Sequence, residues 1–121
     1  MKEMSKGVSI TRKIKQIIEA AGEKKAESIK ILSLSPLTWI ADHFVICTGS
    51  TMVQTKAIAE AMIEKVDAKP RSVEGMKSGR WILLDYGDVI VHIFLPEARE
   101  FYRLERVWGD AEETVITESS A

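Results

Sequence analysis

The stretch WILLDYGDVIVHIF, Trp81 to Phe94, constrains the fold of this chain more than any other. It reads as two strands joined at Tyr86-Gly87-Asp88, where glycine supplies the backbone freedom of a tight turn. Period-two alternation puts Trp81, Leu83 and Asp85 on one face and Ile82, Leu84 and Tyr86 on the other. In the second strand Ile90, His92 and Phe94 oppose Val89, Val91 and Ile93. Neither face is clearly polar, whereas a sheet with one solvated side alternates apolar with polar residues. Two arrangements satisfy this pattern. Helices of the same chain cover both faces, or an apolar patch around Trp81, flanked by Asp85 and His92, is left for another molecule. Tryptophan is enriched among residues that dominate binding energy, which makes Trp81 the leading contact candidate.

The remaining elements follow from spacing. In SITRKIKQIIEAAGEKK, Ile10, Ile14, Ile17, Ile18 and Ala21 fall on one helical face, with Ser9 or Thr11 as the cap and Gly22 near the stop. SIKILSLS alternates Ile29 and Ile31 against Lys30, Leu32 and Leu34, a strand ending before Pro36. PLTWIAD is a loop carrying Trp39, which either folds inward or joins a contact. DHFVICTG is a second strand. After Gly49, Ser50 or Thr51 caps a helix whose stripe is Ala57, Ile58, Ala59, Met62, Ile63 and Val66. A short edge strand around Ser72 to Glu74 precedes the hairpin. Leu95-Pro96-Glu97 opens a last helix with Phe101, Leu104 and Trp108 on one face and Tyr102 beside them. GDAEETVITESSA reads as a polar, frayed tail. The order helix, strand, strand, helix, weak strand, strand, strand, helix predicts one small α/β domain around a mixed sheet.

At 121 residues the chain suffices for one domain with its own core. Its net charge of -1, from 17 basic and 18 acidic residues, argues against a broad nucleic-acid surface, since such surfaces need many cationic contacts. A small basic patch remains compatible with that balance. Cys47 is the single cysteine, so no internal disulfide forms and a reducing compartment is the simpler expectation. The basic start lacks a signal-peptide core, and no window approaches a membrane span, so a cytoplasmic location is expected.

Candidate chemistry is thin. His43, Cys47 and His92 lack the spacing of a zinc site, and a lone cysteine in FVICTG is more often a small core residue than a nucleophile. TGST at a strand-to-helix junction suggests phosphate binding, yet it lacks both dinucleotide-loop glycines and a Walker lysine. No alternating acidic pair presents itself to two metals, and Asp85 and Asp88 straddle a turn. Neither a metal nor a cofactor is expected.

ADHFVICTGST, SVEG, WILLDYGDVIVHIF and REFYRLERVWGDAE, in that order, resemble the ribosomal silencing factor S family, also called the Iojap family. The likeness runs from Val8 to Glu112, read as the domain, with residues 1–7 and 113–121 as flexible tails. The resemblance implies a mixed α/β fold related to nucleotidyltransferases without an evident catalytic site. It implies binding to the large ribosomal subunit through protein uL14 (L14), steric blockage of small-subunit joining, and lowered translation when nutrients are scarce. It also implies a homodimer when free. Carried over residue by residue, Trp81 is the leading uL14 contact, with Asp85, His92 and Phe94 as weaker members of that surface. Glu74 and Gly75 match a pair positioning the contact edge, while Tyr102, Leu104 and Trp108 match a last helix with a structural role. At the second helix start, Val53 stands where the family often has arginine or asparagine, which weakens any polar contact from that point. The competing reading is a nucleotide-binding or nucleotidyl-transferring enzyme, resting on TGST and the fold relationship.

Overall fold

The computed structural model describes residues 11–35, 37, 39–107, 109 and 111–116. The expectations placed on residues 1–10, Pro36, Trp108 and residues 117–121 lie outside them. Six strands form one sheet in the order β3-β4-β5-β2-β1-β6, and the mixed α/β domain expected from the element order is what forms. These strands are β1 (Glu27–Ser33), β2 (His43–Thr48), β3 (Ser72–Glu74), β4 (Trp81–Asp85), β5 (Val89–Phe94) and β6 (Glu112–Ile116). β2 and β5 pair in parallel, and the remaining neighbours are antiparallel.

Helices α1 (Arg12–Glu23) and α2 (Met52–Lys65) lie together on one face. α1 starts where Thr11 Oγ1 accepts the Ile14 amide at 3.2 Å, satisfying one of the donors that a helix start leaves orphaned. It buries Ile14, Ile17, Ala20 and Ala21, the stripe its spacing dictates. α2 is capped in the same way by Thr51 and buries Thr55, Ile58, Ala59 and Met62. Beneath them lie Ile29, Ile31, Val45, Cys47, Ile82, Leu84, Val91 and Ile93, so β1, β2, β4 and β5 send alternate side chains into this first core. Fully burying an aliphatic side chain is worth about 1.5–3 kcal/mol, and this core accounts for most of the large buried residues.

The opposite face holds a second core of Leu32, Leu34, Ala41, Phe44, Ile46, Ile90, Phe94, Leu95 and Ala98. It is covered by α3 (Pro96–Tyr102), by Leu104 of α4 (Leu104–Val107), and by the segment carrying Leu34 and Ala41. Both faces of the hairpin are therefore roofed, but unequally. Every residue of β2 and β5 is buried, whereas Trp81, Leu83 and Asp85 of β4 remain half-exposed. The apolar patch expected on this side contracts to a strip along β4 and the edge of its roof.

Two expectations are corrected. The single last helix is broken at Arg103, whose left-handed backbone (φ 49°) ends α3 and turns the chain before α4. Phe101 thereby points outward, 77 % exposed, instead of sharing a packing face with the half-buried Leu104. The polar tail begins later than its composition indicates. Residues Glu112 to Ile116 pair with β1, Ile29 opposite Ile116 and Ser33 opposite Glu112, and bury Thr114. Edge-strand pairing uses backbone groups, so a hydrophilic stretch joins a sheet without an apolar signature. No helix among the described residues is long and apolar enough to cross a membrane.

Gly75 is where the β3–β4 connection is tightest. Its φ is 85°, and a side chain there would run into the carbonyl oxygen of Trp81. Gly75→Ala is expected to lower unfolding free energy by at least about 2 kcal/mol, measured by urea denaturation, because strain and backbone clash act together.

Candidate functional site

The register of the hairpin assembles the site. β4 runs antiparallel to β5 with Trp81 opposite Phe94, Leu83 opposite His92 and Asp85 opposite Ile90. Side chains directly opposed on one face lie close enough to interact. Trp81 consequently rests on Phe94, ring centroids 4.9 Å apart, and its indole Nε1 donates to His92 Nδ1 at 3.1 Å. Tyr102, at the end of α3, also packs against the indole at 4.7 Å, and Phe101 meets Tyr102 edge-on at 5.0 Å. The outcome is an aromatic shelf with Trp81 in the middle, its floor buried and its rim open.

The members of this shelf differ in access. Phe94 is fully buried and His92 is 4 % exposed, so in this conformation they hold Trp81 from below and offer no surface of their own. Leu83 is half-buried on the same face. Asp85 is half-exposed but already committed: its Oδ1 accepts the Gly87 amide at 2.8 Å and the Arg71 Nε at 3.2 Å. Its carboxylate therefore shapes the β4–β5 turn, leaving its outer side for a partner. Glu74, opposite Leu83 in β3, is exposed at the sheet edge, and Gly75 lies beneath the Trp81 carbonyl. Tyr102 is 47 % exposed, Leu104 is half-buried, and Trp108 is outside the described residues.

His92 is the polar element of the shelf. Because Nδ1 accepts from Trp81, the neutral ring carries its proton on Nε2, which is buried and has no partner among the described residues. Phe44 lies edge-on to the imidazole at 4.6 Å and Phe94 stacks parallel to it at 6.1 Å. Burial among these rings pushes the imidazolium pKa down to about 4. The ring is thus a neutral hydrogen-bond acceptor for Trp81 throughout the physiological range.

Among the described residues, the alternative chemistries find no assembled site. Cys47 faces α1 and α2, whereas His92 lies on the opposite side of the sheet, so the two cannot form a nucleophilic pair. Burial pushes the Cys47 thiol up to about 12, far from a reactive thiolate. At the TGST junction, the Gln54 side chain folds back onto the turn. Its Oε1 accepts the Ser50 amide at 2.6 Å, and its Nε2 donates to the carbonyls of Lys24 and Lys25, each at 3.0 Å. Thr51 Oγ1 caps Gln54 N at 3.0 Å, and Thr55 Oγ1 donates to Gly79 O at 2.6 Å. This junction ties α2 to its neighbours.

Sequence reasoning placed Trp81 but missed several of its companions. Phe44 was legible only as a strand residue, and its approach to His92 depends on the β2–β5 pairing. Helical spacing alone puts Phe101 on a packing face, because the break at Arg103 has no glycine to announce it. Trp39, left open between core and contact, is 94 % exposed, with Ile40 and Leu37 beside it at 56 % and 46 %.

The model of the family described as "Ribosomal silencing factor during starvation" (RsfS) matches residues 8–121. A Bacillus subtilis protein named ribosomal silencing factor RsfS is 39 % identical over 95 residues, covering 76 % of this chain and 80 % of that protein. The chloroplastic Iojap protein of Arabidopsis thaliana is 37 % identical over 98 residues, covering 79 % of this chain and 41 % of its own length. A crystal structure from Chromobacterium violaceum superposes with a TM-score of 0.80 at 35 % identity, covering 84 % of this chain and 88 % of the other.

The histidine gives a pH test. A folded pKa of about 4, below the ordinary 6.5, means that the unfolded chain takes up the proton first. The stability contributed by neutral His92 is complete above about pH 6.5 and is lost as pH falls toward 4, by about 1.4 kcal/mol per pH unit. His92→Phe removes this slope, while His43, also lowered by burial, is common to both proteins. The unfolding free energy of the wild type relative to the variant, measured by urea denaturation at successive pH values, is expected to fall as pH drops through that window, whichever protein is the more stable at neutral pH.

Proposed function

This chain belongs to the ribosomal silencing factor family, and from that premise we propose that it represses translation by occupying protein uL14 of the large ribosomal subunit and excluding the small subunit. The observation that carries this reading is the shelf around Trp81: a half-exposed tryptophan, oriented from beneath by His92 and Phe94 and flanked by the exposed aromatic rings of Phe101 and Tyr102. Binding is strongest where a rigid aromatic side chain is already held in place, since less ordering is needed on contact. Trp81 is the anchor, Asp85 and Glu74 give the strip polar edges, and His92 and Phe94 act by fixing the indole. Tyr102 and Leu104 keep the α3–α4 roof beside it. Mechanism is then steric: a domain seated on the subunit face bars joining without chemical turnover, and lowers protein synthesis when nutrients are limiting.

The same strip serves a second copy of the chain while the protein is free. Leaving an aromatic shelf open to water is unfavourable, and a reversible homodimer covers it until the subunit competes for it. Dimer and subunit binding are therefore mutually exclusive on this reading.

Sedimentation of the protein with purified large subunits tests the proposal. Wild-type protein is expected to co-migrate with them and to reduce the joined ribosomes formed when small subunits are added. Trp81→Ala is expected to weaken subunit binding by at least about tenfold, the usual cost of removing an anchoring aromatic, while the far-ultraviolet spectrum stays folded. Equal binding and equal blockage by the two proteins would remove Trp81 from the contact.

A further inference from the structure

A second feature lies beside the aromatic shelf, on the other flank of α3. Between α3, α4 and the start of β1 runs an open cleft of about 830 Å³ lined by four cations, Lys30, Arg99, Arg103 and Arg106. It opens at the carboxyl ends of the parallel pair β2–β5, marked by Thr48 and Pro96, which is where open α/β sheets commonly receive ligands. Its inner wall is braced: Arg99 Nη1 donates to Ser28 O at 2.8 Å and to Thr48 Oγ1 at 2.7 Å. Of the three described non-glycine residues with positive φ, two, Ser28 (φ 51°) and Arg103 (φ 49°), line this cleft, and Lys25 does not. Conformations that L residues rarely adopt persist where the surroundings enforce them, and they concentrate at binding sites.

Three carboxylates share the lining, Glu27, Glu100 and Glu113. Glu100 pairs with Arg103 at 2.9 Å and Glu113 with Lys30 at 3.6 Å. The Arg103–Glu100 pair is solvent-exposed on both sides, so it exchanges readily for a stronger anionic partner. Arginine suits phosphate because its planar fork presents paired donors. Arg103 directly follows Tyr102, which packs on Trp81, so the end of α3 carries the aromatic contact and the break after it and α4 carry Arg103 and Arg106. A ribosomal subunit is built of RNA as well as protein, so RNA phosphate is an anion such a rim could meet beside a protein contact.

We propose that Arg103 and Arg106, backed by Arg99 and Lys30, form a phosphate-binding rim that takes the phosphodiester backbone of large-subunit RNA beside the Trp81 contact. The inference rests on the subunit-binding reading above and adds an electrostatic component to it. It calls for a contact of a few phosphates, consistent with a chain of net charge -1.

The test compares the full chain with its R103Q/R106Q variant, measuring affinity for purified large subunits at increasing potassium chloride and, separately, for isolated uL14. The double variant is expected to bind subunits about tenfold more weakly at physiological salt, with a logarithmic salt slope shallower by about 1 to 2. Its affinity for isolated uL14 and its melting temperature are expected to match the wild type. Should Arg103→Gln disturb the end of α3, seen as a lowered melting temperature, R106Q alone decides the case by the same slope. An unchanged slope overturns the proposal, as does an equal loss on isolated uL14, which would make the rim a protein contact. Arginine-dependent binding of a free mononucleotide with an unchanged subunit slope would overturn it in favour of a small ligand. Trp81→Ala separates the two readings. Full binding by that variant sinks the uL14 anchor, and an arginine-dependent slope measured alongside it still reports an RNA contact.

Discussion

The register of β4 on β5 governs the outer face of this domain. With Trp81 opposite Phe94 and Leu83 opposite His92, the indole comes to rest on one ring and within hydrogen-bonding distance of another. A slip of one residue would send Trp81 toward α2 and bring Ile82 outward, exchanging the two faces of the strand. The turn at Gly87 prevents this. Tyr86 N donates to Val89 O at 2.9 Å, and the Asp85 carboxylate accepts the Gly87 amide. At the other end of β4, only a residue without a side chain passes the Trp81 carbonyl at Gly75. Two glycines thus hold a surface to which neither contributes a side chain.

The two cores divide the work unequally. On the first face, α1 and α2 close over the aliphatic side chains of the strands, with Ile18, Ile63 and Met76 partly buried at the margin. On the second, the roof consists of a seven-residue helix, a four-residue helix and the loop residues Leu34 and Ala41, and it leaves β4 half-exposed. A thinner roof leaves more apolar surface for intermolecular use. Phe101 extends that surface from Tyr102, and Trp39 and Ile40 are further exposed apolar residues in the segment leading into β2. This is a domain stabilised from one side and available from the other.

Much of this was legible from residue order because alternation and helical spacing report burial directly. Trp81, Leu83, Ile90 and Phe94 share one side and Ile82, Leu84, Val91 and Ile93 the other, as period two requires. Thr11 and Thr51 cap their helices for the local chemical reason their side chains suggest. What could not be read was non-local or backbone-driven. The parallel pairing of β2 with β5 brings Phe44 to His92 across a long stretch of chain. β6 forms from a charged segment through main-chain hydrogen bonds, and Arg103 adopts a glycine-like conformation without being glycine. The extent of cover over β4 also depends on where α3 stops, which no periodicity announces.

The placement of Cys47 has a practical consequence. The sole thiol of the chain sits at zero exposure under two helices, with its proton firmly held. Maleimides and mild oxidants will pass over it while the domain stays folded, since only an exposed thiolate reacts at a useful rate. A cysteine introduced on the rim of the shelf or of the arginine cleft would then be the only group to take a label. The wild-type background is silent, so a fluorophore at such a position would report on whichever surface is being covered.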